Sequence, residues 1–364
     1  MAIRLMQNRS KDGLSEVSFF EFWPLWTMYL PVAFEWAWQA IRHGSLMLPF
    51  VANPSLTLSG MVGMPKSELM SKAKGKAAEA ILPWVLYRVT NEEAHQQSVA
   101  CIALAAEQGI SFPFVCKPNL GCRGAGVKLV HTEEQLINII GQYPDQAELI
   151  CQRLSEYEPE VGIFFVRDPD TGEGSIPSMT QKILPRVVGD GQHTLGELID
   201  QDPRAGKVSF LYRQRHSARW NNVPAEGEVI RLVFSASHSK GAIFIDGRHQ
   251  VTEALKQAVE DIANGLPDFY YGRMDIKYAD LDSLRAGKTL QVIEVNGASS
   301  ESIHIWDKKT KFSEAVNTLR WQYRTLFKLG AFHRKNGMAV PSVKEFISAW
   351  KKDRELTRFF PSTD

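Results

Sequence analysis

The sequence predicts a mixed α+β or α/β architecture, and three observations predict it. Apolar strands alternate with short capped helices and hairpins from about residue 110 to about residue 300. The chain has 364 residues, 44% hydrophobic and 23% charged, enough for two or three lobes with sizeable cores. Four scattered cysteines (Cys101, Cys116, Cys122 and Cys151) form no CxxC pair, which excludes zinc-ribbon and disulfide-framework folds. The formal net charge of +1 supplies no global field toward nucleic acid, so no nucleic-acid partner is expected. The polar start MAIRLMQNRSKDG leads into no signal-peptide h-region, and a reducing cytoplasmic location is the expectation.

Residues 1–62 form an aromatic-rich segment with no βαβ pattern. Within it, residues 19–41 hold four of the nine tryptophans. The run is long enough to span a bilayer, but Glu21 and Glu35 oppose insertion, and Pro24 and Pro31 are expected to break it into short helical pieces. Two readings remain: a peripheral membrane contact, or a buried element at a lobe or homodimer contact. A helical pattern runs from Pro65 to about Leu82 and carries Lys66, Lys72, Lys74 and Lys76. A second helix is expected from Asn91, as N-cap, to Gln108, with Gly109 ending it.

Then the period changes. FPFVCKP and VKLV read as strands around the loop NLGCRGAG, and HTEEQLINII reads as a helix capped by Thr132. ELICQRL, EVGIFFVRD and MTQKILPRVV continue as strands, and Thr194 with Glu197 makes a capping box. VIRLVFS, GAIFIDG, a helix from about Thr252 to Ala263, and the strands YGRMDIKYA and TLQVIEVNG follow. Residues 63–310 thus form the main domain, with a smaller lobe at about 110–180, and residues 311–364 form a helical tail.

The chemistry concentrates in the last two strands. Period-two alternation puts Arg273, Asp275 and Lys277 on one face, and Glu294 and Asn296 on one face of the next strand. A connection of about ten residues suits an antiparallel pair that brings these groups together. Clustered carboxylates repel unless a cation neutralises them, and oxygen ligands of this kind suit magnesium. A solvated polar strand face is the bland alternative. Upstream, Lys117 precedes Gly121, Gly124 and Gly126, where backbone N–H groups can approach phosphate. The loop returns into a strand and lacks Lys-Ser or Lys-Thr, so neither a Walker loop nor a Rossmann turn fits.

In this order the motifs resemble the ATP-grasp superfamily over roughly residues 64 to 306. EVNGASSES resembles the metal strand and substrate loop of D-alanine–D-alanine ligases, and VVGDGQHTLGELIDQDPRAG resembles the ATP-grasp part of cyanophycin synthetase. The resemblance implies two α+β lobes clamping ATP, with the aromatic helical segment standing where the family usually has a Rossmann-like domain. It implies that Lys117 and Lys182 meet ATP phosphates, along with one of Lys66, Lys72, Lys74 and Lys76. Gln152, Arg153 and Leu154 would meet adenine and Glu160 the ribose, with Glu156 and Glu158 as competitors. Asp275, Glu294 and Asn296 would hold two magnesium ions, or manganese in their place, and Arg273 would stabilise the transferring phosphate. Ser299 and Ser300 fall in the substrate loop, and His238, Arg215, His216 and Arg219 are candidates for an acidic substrate. The implied activity joins a carboxylate to an amine through an acylphosphate. The alternatives are a kinase on the same fold and a nucleotide-binding protein docked to a membrane.

Overall fold

A computed structural model describes residues 18, 20, 23–121, 126–237, 240–358 and 360. In chain order it contains α1 (Leu25–His43), α2 (Lys66–Met70), α3 (Lys76–Ala80), β1 (Trp84–Arg88), α4 (Ala94–Glu107), β2 (Phe114–Pro118) and β3 (Lys128–Val130). Next come α5 (Glu133–Ile140), β4 (Glu148–Arg153), β5 (Glu160–Arg167), β6 (Gly174–Ile183), β7 (Arg186–Val188), α6 (Leu195–Gln201), α7 (Ser209–Arg215) and β8 (Val229–Arg231). The chain continues through β9 (Ile243–Asp246), α8 (Glu253–Asn264), β10 (Tyr271–Lys277), α9 (Leu281–Arg285), β11 (Gln291–Asn296), α10 (Phe312–Lys335) and α11 (Val343–Thr357).

Two antiparallel sheets carry the site. The smaller has the order β1-β4-β2-β3 and packs against α4 and α5 through Cys101, Ala105, Leu136 and Ile140. The larger has the order β11-β10-β5-β6-β9. Alternation sends Val161, Ile163, Met179, Met274 and Ile276 into one core with Leu255, Val259 and Ile262 of α8. The opposite face of the same strands is polar. The amphipathic pattern of α8 and its Thr252 cap, which accepts from the Leu255 N–H, explain why this helix covers the apolar face. The strand β4 leads through residues 154–159 directly into β5, so this link is the covalent hinge between the sheets.

Several expectations need correction. Pro24 and Pro31 do not divide the aromatic segment: α1 is one helix of 19 residues with Pro31 inside it. Packing offsets the lost backbone bond, because Trp36 lies against Phe50, Tyr323 and Phe327, and buried Glu35 is bonded by Arg320 and Arg324 of α10. The 65–82 pattern is two short helices, α2 and α3, separated at Gly75 with φ +50°. Asn91 is not an N-cap. The helix starts at Ala94, and Gln97 instead satisfies the turn by accepting from Thr90 N–H and donating to the Thr90 and Glu92 carbonyls. MTQKILPRVV does not continue one sheet, since β6 ends at Ile183 and β7 pairs with β8 in a separate ribbon. The strand β1 escaped the sequence reading because LPWVLYR has no turn signal before it. The capping box of Thr194 and Glu197, the Thr132 cap and the Gly109 stop at φ +65° are all present.

Candidate active site

The polar face of the larger sheet is assembled by cross-strand register. Lys277, Glu160 and Lys182 lie opposite one another on β10, β5 and β6, and Asp275, Gly162 and Thr180 form the next row. On the other side of β10, Asp275 faces Glu294 and Arg273 faces Asn296. Residues directly opposite in an antiparallel pair share a face, so these side chains converge. Gly162 leaves room in its row: a Cβ there would come within 3.0 Å of Ile303 and 3.2 Å of the Arg273 side chain, so both would have to shift slightly.

The charges on this face are paired in a chain. Lys182 Nζ lies 2.8 Å from Glu160 Oε1 and 2.9 Å from Asp275 Oδ2. Lys277 Nζ lies 3.1 Å from the other oxygen of Glu160, and Arg273 Nε donates to Asp275 Oδ1 at 2.9 Å. Burial alone would favour neutral carboxyls, but Arg273 and Lys182 hold Asp275 below its ordinary range, and Lys182 and Lys277 do the same for Glu160. Burial likewise works against the Lys182 ammonium, yet Asp275 and Glu160 keep its pKa raised.

The smaller sheet presents a different cation. Lys117 on β2 is buried and donates to Gln152 Oε1 at 2.8 Å and to the Ile293 carbonyl at 2.8 Å. A register shift in the β10–β11 pair takes Ile293 out of the ladder beside Asp275, and its carbonyl accepts from Lys117. Burial pushes Lys117 down to about 8, against the pull of Glu294. Among the four upstream lysines, Lys66 is the one at the site. Its Nζ donates to the Gly121 carbonyl at 2.7 Å and lies 3.9 Å from Glu294, while Lys72, Lys74 and Lys76 are exposed.

Glu160 is buried on the polar face, while Glu156 bonds Gln291, Glu158 bonds Arg186, and both are exposed. Gln152 is buried on β4, and Arg153 and Leu154 stand at the start of the hinge, Arg153 with its side chain exposed. Gly121 and Gly126 flank the glycine loop with φ of +116° and +70°; Gly124 and His238 lie outside the described residues. Ser300 is buried and its hydroxyl donates to the Gly297 carbonyl, whereas Ser299 is exposed. His216 Nε2 lies 3.0 Å from the Leu232 carbonyl, and Arg219 Nε donates to His216 Nδ1.

For a metal, Glu294 is partly open, while both oxygens of Asp275 already accept from Arg273 and Lys182; Asn296 would offer its amide oxygen, since its buried Nδ2, which has no hydrogen-bond partner, is a donor. Among the described residues no group of three or more His, Cys, Asp and Glu side chains stands ready for a metal ion. Two carboxylates and an amide nevertheless fit magnesium, which completes its shell with phosphate oxygens and water.

Some residues that shape the site were missed. Asn53 is buried, donates to the Tyr271 carbonyl at 2.8 Å and accepts from the N–H groups of Tyr270 and Tyr271, pinning the start of β10. Ser59 and Gly60 support the loop after β11: the Ala298 N–H donates to the Ser59 carbonyl at 2.8 Å, and a Cβ on Gly60 would come within 2.9 Å of Gly297. Tyr29 of α1 donates to Glu301 in that loop, and burial raises the Glu301 pKa. The turn-rich ANPSLTLSG was the available signal for Asn53, Ser59 and Gly60.

Comparisons with known proteins give partial likenesses. The chain resembles the ATP-grasp superfamily. No family model matches it. The glutathione biosynthesis bifunctional protein GshAB of Streptococcus agalactiae serotype V is 25% identical over 175 residues, covering 42% of this chain and 22% of that protein. The chain therefore spans about a fifth of the length of that relative. Among solved structures, D-alanine–D-alanine ligase from Bacillus anthracis shares 14% identity at a TM-score of 0.40, over 75% of this chain and 71% of that one. A bifunctional glutathione synthetase from Pasteurella multocida shares 17% at a TM-score of 0.34, over 72% and 38%. At scores this low the overlays place no residue of this chain. Among the described residues no helix is long and apolar enough to cross a membrane.

Proposed function

We propose that the chain is an ATP- and magnesium-dependent ligase that joins a small-molecule carboxylate to an amine. One observation carries the reading: Arg273, Asp275, Glu160, Lys182, Glu294 and Asn296 converge on one sheet face, with Lys66 and Lys117 reaching toward it from the opposite side. Buried carboxylates and cations in a linked chain suit phosphoryl transfer, which needs positioned charge more than acid–base groups.

In this reading Lys117, Lys66 and Lys182 bind phosphate oxygens, helped by backbone N–H groups of the loop that holds Gly121, Gly124 and Gly126. Gln152, Arg153 and Leu154 line the adenine side, and Glu160 faces the ribose. Asp275, Glu294 and Asn296 hold magnesium, or manganese, which supplies charge neutralisation at the phosphates. The γ-phosphoryl group passes to a carboxylate oxygen as the bond to ADP breaks, and Arg273 stabilises the charge on the moving group. The amine nitrogen then attacks the acyl carbon, phosphate leaves with the electrons of the C–O bond, and the proton lost by the nitrogen departs on the phosphate. Ser299, Ser300 and His238 are assigned to the substrate side. Cys101, Cys116 and Cys151 are buried free thiols, consistent with a cytoplasmic setting.

The test is release of ADP and phosphate from magnesium-ATP with a pool of amino acids, small acids and amines. Substrate-dependent release of both, lost in Glu294→Ala, is the expected result. ADP without free phosphate identifies a kinase instead, and tight ATP binding without turnover identifies a binding protein.

A further inference from the structure

The helix α1 has two faces of opposite construction. Its inner face buries Met28, Val32, Glu35 and Gln39, and Glu35 is bonded by Arg320 and Arg324. Its outer face shows Trp26 at 67% exposure, Leu30 at 51%, Phe34 at 70%, Trp38 at 61% and Ile41 at 77%. These follow one another at spacings of four, four, four and three, one continuous stripe along the helix. Every exposed residue described from Trp26 to Ile41 is apolar. Three rings two-thirds exposed, at roughly 150–250 Å² each, leave on the order of 400 Å² of aromatic surface. That is more than scattered surface hydrophobes supply and marks an interaction site.

We propose that this stripe docks on an anionic phospholipid bilayer, with α1 lying in the plane of the interface. Charge identifies the occupant. Exposed Arg42 ends the stripe, exposed Arg334 donates to the His43 carbonyl beside it, and the half-exposed Arg320 and Arg324 of α10 meet the helix at mid-length through Glu35. Among the described residues of α1, Glu35 is the one carboxylate, and it is shared between the last two, which leaves this group of side chains net positive. Tryptophan-rich apolar faces with basic rims suit a headgroup layer with negative surface potential. The same helix touches the substrate loop through Tyr29 and Glu301, so docking sets that loop within about one helix diameter, ~10 Å, of the bilayer. The proposal stands on the surface alone and does not depend on the catalytic reading.

The experiment is flotation of the full chain with vesicles of phosphatidylcholine and phosphatidylglycerol, and with phosphatidylcholine alone. Binding to the anionic vesicles that weakens as salt rises is expected, with about tenfold weaker partitioning for W26S/F34S/W38S at unchanged melting temperature. Where that variant fails to fold, Arg42→Gln with Arg334→Gln reads the charge alone, and a loss of about threefold or more is expected. Three results would overturn the proposal: no flotation of the wild-type chain with anionic vesicles, equal flotation with neutral ones, or no loss in the arginine variant. Sedimentation equilibrium adds a fourth, a dimer that W26S/F34S/W38S splits, because the stripe would then be a subunit contact.

Discussion

Lys117 and Lys182 are both buried at the candidate site, on opposite sheets, and they are held in opposite ways. The smaller sheet gives Lys117 two neutral acceptors, Gln152 and the Ile293 carbonyl, so its charge is solvated but not balanced. The larger sheet puts Lys182 between Glu160 and Asp275. Burial dominates the first and lowers its pKa to about 8, while carboxylates dominate the second and raise it. Residue type and depth are the same, so neighbours alone decide proton affinity. An unbalanced cation at the site attracts an anion, whereas a balanced one organises carboxylates. The first arrangement offers phosphate an uncompensated charge, and in the proposed reading the second meets phosphate while it also holds two carboxylates close together.

The sharpest way to break this comparison is to remove each lysine. Lys182→Met leaves Glu160 and Asp275 with fewer counter-charges and should destabilise the chain by about 3–5 kcal/mol in urea unfolding. Lys117→Met removes an unbalanced charge along with two hydrogen bonds and should cost about 1–2 kcal/mol. Equal losses would show that the two cradles do not differ. Next in size, Arg273→Ala should lower phosphate release by about a hundredfold or more, near 2.7 kcal/mol, because the charge on the moving group loses its partner.

The pH dependence sharpens the contrast further. Lys117 loses its proton as pH passes about 8, so magnesium-ATP affinity measured by calorimetry should fall above that value. Lys117→Met should bind weakly with no such fall. For stability the sign is reversed: with the folded pKa near 8 and the ordinary value at 10.5, the unfolded chain binds more protons between them. Stability from this group therefore rises with pH across that window. Lys182, with its raised pKa, should show no titration there in lysine-side-chain NMR. The smallest effect is expected from Gly162→Ala, whose Cβ meets Ile303 and Arg273 at 3.0 and 3.2 Å. It should cost about 1 kcal/mol and lower turnover by displacing Arg273; unchanged turnover would show that the fit there is loose.

Much of the site was legible because β-strand periodicity is strict. Arg273, Asp275, Glu294 and Asn296 were separable from their apolar neighbours by alternation alone, and the antiparallel register brings them together as that alternation requires. The caps at Thr132 and Thr194 were equally readable, since a side-chain oxygen bonding an N–H three residues on is a local event. Lys66 could not be told from Lys72, Lys74 and Lys76, because a lysine-rich helical pattern looks the same whichever side faces the cleft. Glu160 could not be told from Glu156 and Glu158 for a similar reason: the three sit where the link passes into β5, and burial there depends on the sheets on either side. Pro31 misled the reading of α1, as its local cost is real but is outweighed by contacts with α10 hundreds of residues away.

The sequence by itself determined the alternating strands, their polar faces, the capped helices and the aromatic run, all products of backbone geometry and short-range bonding. Tertiary structure decided which lysine and which glutamate enter the cleft. It also decided that Asn53, Ser59 and Gly60 brace the site, and that the aromatic run turns one face to α10 and the other outward. Those outcomes depend on burial and on partners distant in the chain. Desolvation and charge pairing, the terms that separate Lys117 from Lys182, exist only once the two sheets face each other.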